Sequence, residues 1–238
     1  MGAVGPGFEF GMILNGGSEE SATLNVEMSD VLIKGTQMNP EGTFGLGLSV
    51  MDNMNFSFNR LHLTQNHTIG MIIYSSDAHN IAPTATGNDL TITQTESNLF
   101  GYTGRGLEIQ GGADTDFERV LISGNREGGL LLFGQGDTTP TKATFRHLTI
   151  EHTQQAVCGQ IDPSDPTSCI EDGINYGGGS GIIATDGALI SLDQFSIETS
   201  DLTGLGLWPH HDSEESDRMD PQVTLASGQI SNNNIGIY

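Results

Sequence analysis

Positive charge is what this sequence has least of. Eight Lys+Arg stand against 30 Asp+Glu, for a formal net charge of −22. Phosphate backbones and anionic lipid surfaces repel such a chain, so nucleic-acid binding and electrostatic membrane attachment are disfavoured, while cations, Ca²⁺ among them, are attracted. Charged residues of both signs make up only 16%, and aromatics 6% with a single Trp, which leaves little material for amphipathic helices. No apolar run reaches 18 residues, so no segment reads as a membrane-spanning helix. The N-terminal MGAVGPGFEFGMIL lacks the basic start and long apolar core of a signal peptide. At the other end NNNIGIY breaks off partway through what reads as a strand. Both ends look like those of a piece of a longer chain, so the missing signal says little about compartment.

Glycine, by contrast, is abundant at 33 residues, and its placement is ordered. Glycines followed by an apolar run stand at Gly11, Gly47, Gly70, Gly106, Gly129, Gly181, Gly206 and Gly236. A second apolar series centres on Ile33, Leu63, Ile92, Ile122, Ile150, Ile197 and Ile230, most of them preceded two positions earlier by Val31, Leu61, Leu90, Val120, Leu148 or Phe195. That alternation describes strands with one buried face. Three residues after each centre comes Thr36, Asn66, Thr95, Asn125, Thr153, Ser200 or Asn233. Stacked on one another, such side chains would form a hydrogen-bonded ladder at a turn.

Gly11, Gly70 and Gly129 are 59 residues apart, as are Gly47 and Gly106. Phe58/Arg60 and Phe117/Arg119 repeat at the same interval, so the two arginines read as repeat scaffolding. The unit is a two-turn module, each turn about half of it. A unit of two short strands cannot bury its apolar face alone; stacking successive turns can, with each strand parallel to its equivalent one turn on. About eight turns at ~4.8 Å would give a rod roughly 35 Å long. In this reading glycine permits the bend into each rung, the aliphatic residues fill the interior and the polar residue closes the preceding corner.

The pattern Asn-x-x-x-Gly-[Leu/Ile/Met]-x-[Ile/Val/Leu] at Asn66–Gly70, Asn125–Gly129 and Asn232–Gly236 resembles the repeats of pectin-lyase-like proteins. The resemblance covers nearly the whole chain and implies an all-β fold, a single-stranded right-handed parallel β-helix of about eight coils in two-coil modules, as one domain over 1–238. It says much less about function, since that fold hosts lyases, hydrolases, epimerases, adhesins and passive surface proteins.

The step from Ile150 to Gly181 is 31, about 17 longer than its counterparts, and the excess is an insert at about 158–176. It holds both cysteines, Cys158 and Cys169, which suggests a local disulfide worth roughly 2–3 kcal/mol and an oxidising, extracellular or cell-surface compartment. A cysteine-bearing insert on a tandem layout is similar to β-helix proteins of bacterial cell surfaces. Asp162, Asp165 and Asp172 are the carboxylates there that would gather Ca²⁺, although their spacing matches no calcium-binding motif; solvated loop acids are the plainer reading. No other cofactor is implied.

A second departure from the repeat is the loop 208–221. It combines Trp208, the one tryptophan, with His210, His211, Asp212 and Arg218. A histidine base, a neutralising arginine and a sugar-stacking indole make chemical sense. Pro-His at 209–210 resembles part of a loop in β-helix uronate epimerases and alginate lyases, yet the tyrosine and aspartate of that motif are absent. The carboxylate pairs and Gly-His-Gly signature of the related hydrolases are absent too. Tyr176 in the insert is a further candidate ligand contact.

Three functional readings follow. The leading one is a secreted or surface-displayed β-helix with a binding or scaffold role, its partner a polysaccharide or surface glycan. The others are a lyase or epimerase of uronate polymers, and a structural spacer of a longer solenoid. A chain that mostly obeys a repeat grammar offers few unique clusters of the kind catalysis needs.

Overall fold

The computed structural model describes residues 9–17, 22–39, 44–76, 81–98, 101, 103–134, 139–155, 161–162, 165–169, 178–208 and 219–238, with backbone alone for 161–162 and 165–169. Its strands in chain order are Phe10–Asn15 (β1), Leu24–Lys34 (β2), Leu46–Met51 (β3), Met54–Thr64 (β4), Ile69–Tyr74 (β5), Thr84–Thr93 (β6), Arg105–Gln110 (β7), Asp114–Ser123 (β8), Gly128–Phe133 (β9), Lys142–Glu151 (β10), Ile161–Asp162 (β11), Asp165–Cys169 (β12), Ser180–Thr185 (β13), Leu189–Glu198 (β14), Thr203–Trp208 (β15), Gln222–Ala226 (β16), Gln229–Ser231 (β17) and Ile235–Ile237 (β18). No helix occurs among the described residues.

Short and long strands alternate along the chain and segregate into two sheets. The short strands form one in the order β1-β3-β5-β7-β9-β13-β15-β18; the long strands form the other, β16-β14-β10-β8-β6-β4-β2, with β17 also on β14. Every pairing within these two sheets is parallel. Each strand thus lies beside its equivalent one repeat on, an all-β arrangement compatible with a parallel β-solenoid.

Register puts like on like. Ile33, Leu63, Ile92, Ile122, Ile150, Ile197 and Ile230 are successive partners across the long-strand sheet, and all but the terminal Ile230 are buried. They face Leu48, Val50, Met71, Ile73, Leu107, Ile109, Leu130 and Leu132 of the short strands in one continuous core. Burial of each such aliphatic side chain contributes about 1.5–3 kcal/mol against the chain entropy of ordering it.

The long strands are not straight. Each carries one residue in the left-handed region near its middle: Asp30, Arg60, Asp89, Arg119, His147 and Gln194, with Ser227 between β16 and β17, all at φ 54–59°. Ladder pairing skips these positions, running from Ser29↔Asn59 to Val31↔Leu61 and from Asn59↔Asn88 to Leu61↔Leu90. A second left-handed corner closes each repeat, at Gly35, Gln65, Gln94, Gly124, His152, Thr199 and Asn232. The alternation in the sequence reads as one strand per repeat here; the structure makes it two segments around a corner.

Glycine's role also differs from the sequence-based expectation. None of the glycines that open the short strands has positive φ. Gly11, Gly47, Gly70, Gly106, Gly129 and Gly181 are needed for space instead, whereas nothing described lies within 4 Å of a methyl at Gly236. A methyl group on Gly106 would lie 2.6 Å from Ile122 Cγ2, 2.7 Å from the Gly129 carbonyl and 2.9 Å from Asn125 Nδ2. Backbone and core meet too closely there for a side chain. The stacked glycine of β15 is Gly204, above Gly181, and not Gly206. Gly206 pairs with Ile183 and leaves room beside the Trp208 indole, whose Nε1 would be 3.2 Å from a methyl at that position.

The 59-residue module resides in the connections. Those after β2 and β6 (35–45 and 94–104) are long, and those after β4 and β8 (65–68 and 124–127) short. The same alternation holds at the other corner, where 52–53 and 111–113 contrast with 75–83 and 134–141. The insert occupies a slot that is long in alternate repeats already. Its backbone forms an antiparallel hairpin, β11 on β12, with Ile161 opposite Cys169.

Candidate functional site

A shallow furrow lies on the outer face of the long-strand sheet. Outward positions of β2, β4, β6, β8 and β10 build it because side chains alternate between core and solvent along each segment. One row comprises Glu27, Ser57, Thr86 and Asp116; beside it run Asn59, Asn88 and Arg146. Phe58 and Gly87 form part of the floor.

The rows that border the furrow are satisfied internally over the strands β2 to β6, although Asp114 and Lys142, which continue the row of Asn55 and Thr84, form no ion pair among the described residues. On one side Asn55 Nδ2 donates to Asn25 Oδ1 at 2.9 Å, and Thr84 Oγ1 donates to Asn55 Oδ1 at 2.8 Å. On the other lies the corner row, in which acid and base alternate: Arg60 binds Asp30 through two N–H groups, and Arg119 binds Asp89 at 2.7 and 3.1 Å. Hydrogen bonds from Arg60 and Arg119 hold the Asp30 and Asp89 carboxyls below the usual range, and the guanidinium pKa values move up in return. Arg146 closes one end, donating to Asp116 at 2.6 Å. Between these bordering rows, Glu27, Ser57, Asn59, Thr86 and Asn88 have no side-chain partner among the described residues.

A second cluster, unlike the repeat, lies on the short-strand sheet. Arg105 donates through Nε and Nη2 to both oxygens of Glu127 at 2.8 and 3.0 Å, and through Nη1 to Glu108 Oε2 at 2.9 Å. Its guanidinium carbon lies 5.7 Å from the centre of the Phe133 ring. Burial works against the arginine's charge, yet the bonds to Glu127 and Glu108 push its pKa up. Glu108 is 4% exposed and sits in register between Ile72 and Leu131. Burial raises its carboxyl pKa against the pull of Arg105. Two carboxylates share one cation here, and all three guanidinium nitrogens donate to them.

The polar corner residues stack inside the second corner, and their hydrogen bonds run in pairs. Thr36 N–H and Oγ1 both donate to Asn66 Oδ1, at 3.3 and 3.0 Å. Thr95 N–H donates to Asn125 Oδ1 at 2.9 Å, and Ser200 N–H to Asn233 Oδ1 at 2.7 Å. Nδ2 of Asn66 and Asn125 and the hydroxyls of Thr95 and Ser200 are left without partners. Thr153 is buried in the same column. Thr and Asn alternate in the first four rungs, with the same two-repeat period as the Asp/Arg row.

Trp208 is 46% exposed at the end of β15, opposite Thr185. The loop 209–221 leaves from that end of the short strands, whereas the 158–176 insert arrives at the other end, through Gly178 and Gly179 into β13. The two irregular segments therefore attach at opposite ends of adjacent strands. His210, His211, Asp212, Arg218, Tyr176, Asp172 and Cys158 lie outside the described residues, as do the side chains of Asp162, Asp165 and Cys169. Among the described residues no three His, Cys, Asp or Glu gather as a metal site, and no helix is long and apolar enough to cross a membrane.

Sequence inspection missed both the furrow and the Arg105 cluster. The furrow had a faint signal in Ser57-Phe58-Asn59 and Thr86-Gly87-Asn88, which are in register. The cluster had none, because Glu127 follows Arg105 by 22 residues in a turn that is Gly45, Thr68 or Gly104 in other repeats. Comparison with protein-family models, with curated proteins and with solved structures finds no match to this chain.

Proposed function

We propose that the chain is a single-stranded right-handed β-helix of the pectin-lyase-like kind, secreted or displayed at a cell surface, with a binding or scaffold role in which the long-strand furrow contacts a glycan. The observation that carries this reading is the block of free polar side chains, Glu27, Ser57, Asn59, Thr86 and Asn88, held between rows that satisfy each other. Polar groups on a rigid sheet lose little entropy when a ligand replaces their water, so such a block is preorganised for binding. Among the described residues the charged cluster around Arg105 supports binding over catalysis: its carboxylates are spent on the arginine and Glu108 is buried. Location outside the cell fits an insert that contains both cysteines.

A glycan array probed with wild-type protein and with Asn59→Ala/Asn88→Ala tests the proposal. Binding that the double variant loses supports it; binding that is absent, or unchanged in the variant, overturns it.

A further inference from the structure

We infer that the outer face of the short-strand sheet docks a basic, proline-rich peptide in the polyproline II conformation, laid across β5, β9 and β15 with one turn of its helix per aromatic ring. This surface is separate from the furrow, and the inference stands whether or not a glycan binds there.

The short strands end in a row of outward side chains. Ile73 and Leu132 point into the core and are fully buried, so Tyr74 and Phe133, which follow them, point away from it. In register the row runs Met51, Tyr74, Gln110, Phe133, Thr185 and Trp208. Aromatic rings thus occur on every second strand, which sets them about 9.6 Å apart over roughly 19 Å. They stand at the strand ends from which the long connections 75–83, 134–141 and 209–221 depart, so the rings share the two-repeat period of the corners. Tyr74 and Phe133 are half-buried and Trp208 is 46% exposed. Arg105 braces Phe133, its guanidinium carbon 5.7 Å from the ring centre. The Trp208 indole lies back beside Gly206, its Nε1 3.2 Å from where a methyl would stand.

A polyproline II helix repeats every three residues, about 9.3 Å, and is extended before it binds, so docking costs it little entropy. Its period matches the ring spacing within a few tenths of an ångström. A proline at every third position therefore meets Tyr74, Phe133 and Trp208 in turn, the way aromatic-lined grooves take such peptides. The Gln110 amide and the Trp208 indole N–H have no side-chain partner among the described residues and can donate to the carbonyls that this helix leaves free. A β-strand peptide fits worse, since it needs an open sheet edge. Charge sets the remaining residues of the ligand. Arg105, the arginine of this face, is held by Glu108 and Glu127, and Asp186 follows Thr185 at the border of the row. A net charge of −22 draws a lysine-bearing partner and gives a neutral sugar chain no such pull.

Trp208 is the only tryptophan, so its emission reports the end of the row directly. The whole chain is titrated with a peptide of four Pro-Pro-Lys triplets, one of four Pro-Pro-Glu triplets, a flexible one of four Gly-Ser-Lys triplets and a soluble neutral glucan, with calorimetry as a second readout. The Pro-Pro-Lys peptide should shift the emission and bind about tenfold or more tighter than the Gly-Ser-Lys peptide, and the Pro-Pro-Glu peptide should not bind. Tyr74→Ala and Phe133→Ala should each weaken binding about fivefold or more. Gln110→Ala, which leaves every ring in place, should weaken it a few-fold, and circular dichroism checks that each variant is folded. Equal binding of the two lysine peptides would mean charge attraction alone and overturns the inference. So does a glucan or the Pro-Pro-Glu peptide shifting Trp208 where the Pro-Pro-Lys peptide does not, binding indifferent to Tyr74, Phe133 and Gln110, or no response to any of the four.

Discussion

Replacing Gly87 by Ala isolates the way this core is filled. Gly87 lies in register between Phe58 and Phe117, and the Phe58 ring fills the space its missing side chain leaves. The rings of Phe58 and Phe117 thereby meet at 5.2 Å across an intervening strand, and Phe145 continues the stack at 5.9 Å. A methyl group at 87 would stand 2.5 Å from Phe58 Cε2 and overlap the rest of the ring edge. The ring is hemmed by Phe117 and by Phe56 at 5.7 Å, so making room for the methyl strains the stack, and overpacking of this kind costs about 1–3 kcal/mol. Against that, Gly87 does not have positive φ, so alanine restricts the unfolded chain at no backbone strain, which stabilises by about 0.4–1 kcal/mol. The expected net effect is a loss of about 1–2 kcal/mol.

Phe58→Leu removes the clashing ring atoms. In that background Gly87→Ala should turn neutral or slightly stabilising, for a coupling energy of about 1–3 kcal/mol. Urea unfolding of the four proteins, followed by circular dichroism and Trp208 fluorescence together, gives the cycle; coincident transitions justify a two-state treatment in a repeat protein. Additivity of the two substitutions within about 0.5 kcal/mol would refute the reasoning, as would a neutral Gly87→Ala in the wild-type background.

Two other perturbations probe different forces. Asn125→Ala takes away the acceptor of the Thr95 N–H, buried at the second corner. Stability should fall by about 1–3 kcal/mol and hydrogen exchange at Thr95 should accelerate; unchanged protection there would show that the corner does not depend on the pair. Burial raises Glu108, so the folded chain keeps a proton that the unfolded chain releases at the ordinary carboxyl value of about 4.3. That group therefore lowers stability as pH rises through its window, whereas Asp30 and Asp89, held low by arginine, add stability that is lost as pH falls through their folded values. Glu108→Gln still offers Arg105 an acceptor, and the Asp contributions cancel in the comparison. The stability difference between variant and wild type should shift towards the variant as pH goes from about 4 to about 7, and parallel curves would contradict the assignment.

How much of this was legible in advance depends on the kind of contact. The aliphatic rows at Ile33, Leu63, Ile92 and Ile122 were, since a strand with one buried face prints its period on the chain and each repeat meets a near-copy of itself. The polar column from Thr36 to Asn233 was visible for the same reason. The left-handed corners were not. Arginine has no local preference for positive φ, and Arg60 and Arg119 hold it because pairing on either side of the corner leaves no alternative. The charge alternation that accompanies these corners became readable only once Asp30, Arg60, Asp89 and Arg119 stood in one row.

Sequence alone thus determined that short apolar segments must stack, because hydrophobic periodicity is a local property with a repeated consequence. Tertiary structure decided the rest: that the rung glycines serve close approach, that Gly87 houses a phenylalanine from the neighbouring strand, that Arg105 finds two acids, and that a block of polar side chains stays free between satisfied rows. Each of these depends on which residue lies one repeat away across a strand gap, and no periodic signal within a single segment encodes that distance.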